Sequence, residues 1–182
     1  MPYSDPDVNF DSRIKDIIKR CNYKSFLDIG AGSGKYGLLI RQTVDDAHII
    51  CIEAEYKYIV EFDLHAIYDA VHQAQVESFF DDKPDLSVEL VIIGDCIEHL
   101  KKSDGVDLLH YLVYRTKTII VVFPSKYVQY SWRGNPLEAH RSVWDETDFQ
   151  QFSYEFEKKE FMNLAIVKGY LDDPETQFPK LK

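Results

Sequence analysis

The sequence predicts an α/β fold of three layers, in which helices cover both faces of a doubly wound, mostly parallel β-sheet. Strand-like segments alternate with helix-like segments along most of the chain. The strand-like segments are almost continuously apolar, as strands that are buried on both faces are. Near the C-terminus two strand-like segments follow one another directly, which predicts an antiparallel C-terminal strand at the end of the sheet.

The predicted strands and helices follow in a regular order. Short runs of β-branched and apolar residues, each stopped by a glycine, a proline or a polar residue, predict the strands. They are 25–29, 48–52, 70–76, 89–94, 118–123, 154–160 and 163–168. Apolar residues at helical spacing predict the helices. These are 10–21, 34–43, 56–65 and two that begin near residues 103 and 145.

The sequence also predicts the N-cap residues and the buried positions of some of these helices. Asp11 is the predicted N-cap of the first helix, whose isoleucines share one face. Leu38 is a predicted core residue of the second helix, and Ser103 is the predicted cap of the fourth.

Length and composition predict one domain, residues 1–171, with a polar tail at 172–182. A chain of 182 residues with 45% hydrophobic residues has the size and composition of a single globular domain. No apolar run reaches the roughly 18 residues that span a membrane, and the N-terminus lacks the apolar stretch of a signal peptide, so we expect a cytoplasmic protein.

The net charge of −10 argues against nucleic acid as a partner. The cysteines are scattered singly and predict no metal site.

Residues with special chemistry follow the ends of successive predicted strands. The run DIGAGSG (28–34) follows the first strand, and Glu53 ends the second. Gln75 lies at the end of the third strand and Asp95 at the end of the fourth. Ligands of open parallel sheets bind at the carboxyl ends of the strands, so the sequence predicts one binding site at this edge.

The spacing of the glycines bears on the kind of ligand. Gly30 and Gly32 allow the backbone to pass close under a ligand, and Glu53 can accept hydrogen bonds from both hydroxyls of a ribose. A dinucleotide-binding loop has the spacing G-x-G-x-x-G, which would place its third glycine where this chain has Lys35. Here the third glycine comes one residue earlier and Asp28 precedes the loop. This pattern favours a ligand that has ammonium and sulfonium groups and no phosphate.

Four segments resemble motifs of the class I S-adenosylmethionine-dependent methyltransferases. FLDIGAGSGKYGLLIRQ is similar to their first motif, CIEA to their acidic ribose-binding motif, and GDCIEHL to their fourth motif in its D-x-x-E-H form. GNPLEAHRSVWDETDF resembles a segment after the fifth strand in some bacterial members, often ones that act on sugars or other small metabolites. The resemblance covers residues 10–170 and implies a Rossmann-like fold. It also implies S-adenosylmethionine as cofactor, S-adenosylhomocysteine as product, and a small-molecule acceptor methylated at oxygen.

The resemblance also implies which residues bind the cofactor. Asp28 and the loop backbone would hold the methionine part, and Glu53 would hold the ribose. Gln75, which replaces an Asp of many family members, and the amide of Val76 would bind the adenine. Asp95 would border the methyl-donating sulfur. The other implied cofactor-binding residues are Gly30, Ala31, Gly32, Gly34 and Ala54.

Methyl transfer requires mainly that the protein align the reacting atoms, and it requires no metal in principle. A base is needed only where the acceptor must lose a proton, as a hydroxyl does. His99 and His140 are the candidate bases, with Glu98 as an orienting partner or an alternative. His140 lies in a long segment after the fifth strand, in which we expect Trp132 near the substrate and Trp144 in packing.

Three other functions are open at the level of sequence. An NAD-type oxidoreductase is disfavoured by Lys35 at the position of the third glycine. A methyltransferase that acts on protein or RNA would use the same cofactor site. A non-catalytic module that binds S-adenosylmethionine would also keep the glycine loop.

Overall fold

A seven-stranded sheet organises the molecule, as seen in a computed structural model that describes residues 10–82, 85–125, 128–132 and 134–171. The strands are β1 (Ser25–Ile29), β2 (His48–Glu53), β3 (Ala70–Gln73), β4 (Leu90–Gly94), β5 (Thr118–Pro124), β6 (Tyr154–Lys158) and β7 (Met162–Lys168). The helices are α1 (Asp11–Cys21), α2 (Lys35–Arg41), α3 (Tyr56–Glu61), α4 (Leu64–Ile67), α5 (Val76–Asp82) and α6 (Lys102–Leu112). Short 3-10 turns lie at Ile97–His99, Pro136–Glu138 and Glu146–Phe149.

The strand order is β3-β2-β1-β4-β5-β7-β6. The pairs β1–β2, β2–β3, β1–β4 and β4–β5 are parallel, whereas β7 is antiparallel to both β5 and β6. The order reverses direction next to β1, so β1 and β4 lie at the switch point where ligands bind in such sheets. The predicted mostly parallel sheet with antiparallel C-terminal strands is confirmed.

Two apolar cores, one on each face of the sheet, make the fold three-layered. Helices α1, α2, α3 and α4 contribute to the first core, together with Phe26 and Ile92 from the sheet. Helices α5 and α6 contribute to the second core, together with Leu27 and Ile93. Neighbouring residues of one strand belong to opposite cores because side chains alternate along a strand. The continuous apolar runs of β1 and β4 follow from this burial on both faces.

The middle of the chain differs from the sequence prediction in two places. The helix predicted at 56–65 is two helices, α3 and α4, because Asp63 adopts a left-handed φ of +48° between them. The strand predicted at 70–76 ends at Gln73, and α5, which the sequence analysis missed, begins at Val76. Gln75 therefore lies in the β3–α5 connection and not at the end of a strand.

Two predicted helix caps and one predicted core residue are wrong. Phe10 occupies the N-cap position of α1, and Asp11 forms an ion pair with Lys35 at 2.7 Å. Lys101 is the N-cap of α6, since this helix begins one residue before Ser103. Leu38 is 45% exposed because the seven-residue helix α2 turns other residues toward the sheet.

Among the residues described, no helix combines the length and the apolar character that a membrane-spanning helix requires. The polar tail predicted at 172–182 lies outside the described residues.

Candidate functional site

A cavity of about 300 Å³ lies at the carboxyl ends of β1, β2 and β4, whose last residues Ile29, Glu53 and Gly94 form part of its wall. Ligands of open parallel sheets bind at this place. Eight residues that the sequence analysis assigned to the cofactor line this cavity. They are Gly30, Ala31, Gly32, Glu53, Ala54, Gln75, Val76 and Asp95. The fold thus brings together residues that are far apart in sequence, and their binding roles stay predictions.

The glycine loop turns sharply between β1 and α2. Gly30 and Gly32 have φ angles of +75° and +53°, in the left-handed region that favours glycine. A Cβ atom on Gly30 would lie 2.6 Å from Sγ of Cys96, so the close approach of the β4 connection also requires glycine there. Gly34 is the N-cap of α2 and lies outside the cavity wall, where a Cβ atom would lie 2.5 Å from Ile67. Gly34 therefore serves packing against α4 and makes no direct contact with the cavity.

Glu53 joins the end of β2 to the glycine loop. Its Oε2 accepts a hydrogen bond from the amide of Gly32 at 2.8 Å, and its Oε1 accepts one from the amide of Glu55 at 2.8 Å. Burial raises the pKa of Glu53, and these two hydrogen bonds oppose the rise. Each carboxylate oxygen keeps a further lone pair. A carboxylate held in this way in the cavity wall can accept hydrogen bonds from a pair of hydroxyls.

Asp28 lies beneath the cavity and not in its wall. Side chains alternate along β1, so Asp28 points to the face that carries α2 and α4, whereas Ile29 reaches the cavity. The hydroxyl of Tyr68 donates a hydrogen bond to Oδ2 of Asp28 at 2.6 Å. Burial raises the pKa of Asp28 to about 7. Asp28 therefore does not line the cavity, and its contact with the methionine part of the cofactor stays a prediction.

Asp95 and Tyr36 border the part of the cavity next to β4. Asp95 has a left-handed φ of +49°, a costly conformation for a residue other than glycine and one that is frequent at functional sites. Burial raises the pKa of Asp95, and the nearby charge of Lys35 opposes the rise. Tyr36 lines the cavity, and its buried hydroxyl has no hydrogen-bond partner among the described residues. A bound ligand could satisfy this hydroxyl.

Glu138 and Tyr58 line the same cavity and were missed by the sequence analysis. The hydroxyl of Tyr58 donates a hydrogen bond to Oε1 of Glu138 at 2.9 Å, and Oε2 of Glu138 lies 3.9 Å from Nε2 of His99. This contact joins α3 to the segment after β5, and the two residues are 80 positions apart in the chain. The one available signal was that Glu138 precedes His140 in the segment GNPLEAH.

The candidate catalytic residues Glu98, His99 and His140 come together beside the cavity. The rings of His99 and His140 have centroids 5.1 Å apart, and ligand-type atoms of all three residues lie within 4.8 Å of one another. His99 lines the cavity, whereas Glu98 and His140 line a small crevice behind it. Burial lowers the pKa of His99 and raises that of Glu98. Their catalytic roles stay predictions.

The aromatic residues of the segment after β5 divide by burial. Trp144 is 2% exposed and packs against α6 and Phe149, so its predicted packing role is confirmed. Trp132 is half-buried and does not line the cavity. Its predicted place near the substrate stays a prediction.

Comparisons with other proteins locate this fold among known structures. No protein-family model matches the chain, and none of the curated proteins matches it either. An O-methyltransferase family protein from Burkholderia thailandensis has a similar structure, with a TM-score of 0.64, 8% identity and coverage of 90% of this chain. This chain spans 57% of the length of that protein.

Two further solved structures extend the comparison. The magnesium protoporphyrin IX methyltransferase of Synechocystis PCC 6803, solved with bound S-adenosylmethionine, has a TM-score of 0.64 and 11% identity over 88% of this chain and 78% of that one. The N-terminal domain of EvdMO1, solved in the presence of S-adenosylhomocysteine and D-fucose, has a TM-score of 0.64 and 10% identity over 88% of this chain and 83% of that one. These likenesses confirm the predicted Rossmann-like methyltransferase fold.

Proposed function

We propose that this protein is an S-adenosylmethionine-dependent methyltransferase that transfers a methyl group to an oxygen atom of a small-molecule acceptor. One observation carries the proposal: Gly30 and Gly32 of the glycine loop line one cavity at the switch point of the sheet together with Glu53, whose carboxylate accepts a hydrogen bond from the amide of Gly32. The similar fold of solved methyltransferases supports it.

The cavity fits the cofactor in size and in charge. Its volume of about 300 Å³ is at the lower end of the range typical of small-molecule sites. Glu53, Asp95 and Glu138 give its wall an acidic character, which suits a ligand with a sulfonium and an ammonium group. Glu53 would hold the ribose, Gln75 and Val76 the adenine, and Asp95 the methionine end.

When bound, S-adenosylmethionine supplies a methyl group that its sulfonium already activates. The protein's contribution is then to align the acceptor with that methyl group, which can account for much of the rate enhancement. His99 and Glu138 line the cavity and follow β4 and β5, which in the sheet order are farther from β3 and the predicted adenine residues than β1 and β2 are. They are our candidates for residues that contact the acceptor.

A small acceptor agrees with the way the cavity is bounded and with the net charge of −10. The 3-10 turn Pro136–Glu138 forms part of the wall, so the cavity is bounded on the acceptor side. The EvdMO1 domain, which has a similar fold, was crystallised with D-fucose present. We therefore propose a sugar or a metabolite of similar size, with a hydroxyl oxygen as the target.

Calorimetric titration with S-adenosylmethionine tests the cofactor site. We expect the unaltered protein to bind it and Glu53→Ala to bind it about 10- to 100-fold more weakly, because a charged acceptor of hydrogen bonds contributes about 1.5–3 kcal/mol. Asp46→Ala, which removes a carboxylate from an exposed turn, is the matched control and should bind normally.

Absence of binding by the unaltered protein would overturn the proposal.

Transfer of a labelled methyl group into a metabolite extract tests the reaction itself. Label that enters only protein or RNA would exclude the small acceptor, and cofactor binding without any turnover would indicate a non-catalytic module.

A further inference from the structure

We infer that Glu98, His99 and His140 form a binding site for a divalent first-row transition-metal ion at the acceptor end of the cavity. This goes beyond the sequence-based expectation, in which the same three residues serve as a base and its partner. The step from metal binding to acceptor activation rests on the proposed methyltransferase function, whereas the binding site itself does not.

The three side chains are held together by the backbone. Glu98 and His99 lie on the 3-10 turn that follows β4, and His140 lies in the segment after β5. The amides of Arg141 and Ser142 both donate hydrogen bonds to the carbonyl of Glu98, at 2.8 and 3.1 Å. The two elements are therefore joined next to the cluster.

Glu98 provides an independent sign that a ligand belongs here. Its side chain is buried, with 4% exposure, and its Oε2 has no hydrogen-bond partner among the described residues. A buried carboxylate oxygen without a partner is unfavourable, because it has lost the hydrogen bonds that water would make. A cation bound between Glu98 and the two histidines would remove this cost, because metal coordination compensates a buried charge.

His99 is oriented as metal-binding histidines commonly are. Its Nδ1 lies 3.2 Å from the carbonyl oxygen of Ala139. A proton on Nδ1 can be donated to that carbonyl, and Nε2 then keeps its lone pair for a metal. The carboxylate of Glu138, whose Oε2 lies 3.9 Å from Nε2 of His99, is close enough to support the site.

Two imidazoles and one carboxylate are a ligand set that suits zinc, manganese, iron or cobalt and not calcium. With three protein ligands, a position stays open for a substrate oxygen. His99 lines the cavity, so this open position can face the acceptor. A bound cation lowers the pKa of a hydroxyl that coordinates it. The acceptor class is therefore a hydroxyl compound that can ligate the ion.

The resulting transfer balances in atoms and charge. The coordinated hydroxyl releases its proton to solvent, and its oxygen forms the bond to the methyl carbon. The bond between that carbon and sulfur breaks, and its electron pair stays on sulfur as the neutral thioether. No oxidant or reductant takes part, so a redox-inactive ion such as zinc is sufficient.

The test uses the full chain after removal of metal with a chelator. Zn²⁺ is titrated by calorimetry, and Co²⁺ by its visible absorption, which reports a nitrogen- and oxygen-ligated site directly. We expect one ion per chain for the unaltered protein and binding that is at least about tenfold weaker for Glu98→Gln and for His140→Ala. His65→Ala, which changes an exposed histidine away from the site, should bind as the unaltered protein does.

S-adenosylmethionine is titrated into each of the same samples. Retained cofactor affinity in Glu98→Gln and His140→Ala shows that these variants are folded and that the loss concerns the metal. If the unaltered protein binds cofactor but no ion, the metal site is excluded and the proposed function stands. If it binds the ion but no cofactor, the proposed function fails and the metal site stands. Equal metal binding by all variants would also overturn the assignment to these residues.

Discussion

Asp28 is a fully buried carboxyl that accepts a hydrogen bond from the hydroxyl of Tyr68. Burial raises its pKa from 3.8 to about 7. Between these two values the folded protein holds a proton that the unfolded chain has already released. The free energy of unfolding therefore falls as pH rises through this window, and the penalty is complete above pH 7.

We predict that Asp28→Asn removes this pH dependence. A pKa difference of about three units corresponds to roughly 4 kcal/mol. The loss of unfolding free energy between pH 4 and pH 8 should therefore be smaller by about that amount in Asp28→Asn than in the unaltered protein. Urea denaturation at the two pH values measures it. Asp46→Asn, at an exposed position, should keep the original dependence, and equal slopes for Asp28→Asn and the unaltered protein would contradict the prediction.

At the scale of elements, helix α6 packs closely against the segment after β5, and Gly105 lies at the point of contact with Trp144. A Cβ atom on Gly105 would lie 2.5 Å from Cζ2 of Trp144 and 3.2 Å from Cγ1 of Ile97. Trp144 in turn donates a hydrogen bond from Nε1 to the hydroxyl of Ser142 at 2.8 Å. The packing of the Trp144 indole on Gly105 therefore holds the segment after β5 in place against α6.

We predict that Gly105→Ala lowers the free energy of unfolding by about 1–3 kcal/mol, because a methyl group overfills this contact. Helix propensity alone would favour alanine by about 0.5–1 kcal/mol. Asp107→Ala, at an exposed position of the same helix, is the control and should be neutral or slightly stabilising. In a Trp144→Phe background the cost of Gly105→Ala should fall, and an unchanged cost in a double-mutant cycle would argue against the contact.

The elements that the sequence predicted well are those whose burial is continuous. A parallel strand that is covered on both faces is an apolar run whatever its neighbours are, so β1, β4 and β5 were recognised within a residue or two. The break at Asp63 and the start of α5 at Val76 depend on how these short helices pack, and no local period reveals them.

The residues of the site likewise fall into those that the sequence could predict and those that it could not. Residues that follow strand ends, such as Glu53 and Asp95, were found because parallel strands end at one edge of the sheet. Asp28 was expected at the cavity, but the alternation of side chains along β1 turns it to the opposite face. The contact between Tyr58 and Glu138 joins distant parts of the chain and has no local pattern.

At the scale of the whole molecule, the net charge of −10 opposes binding to polyanions. Affinity for duplex DNA depends on lysine and arginine neutralising several phosphates. We predict no saturable binding of a fluorescently labelled DNA duplex or RNA strand at physiological salt, as measured by anisotropy with and without S-adenosylmethionine. Binding that weakens steeply as salt is added would contradict this and would favour an RNA acceptor over a metabolite.

The strand order leaves β3 and β6 at the two edges of the sheet. An exposed edge strand is a template on which a second chain can add a strand and begin aggregation. β3 is only four residues long. In β6, Glu155 and Glu157 form ion pairs with Arg13 of α1, and Lys158 is exposed beside them. An incoming strand would have to displace these charges. The ion pairs that join β6 to α1 therefore also protect this edge of the sheet from self-association.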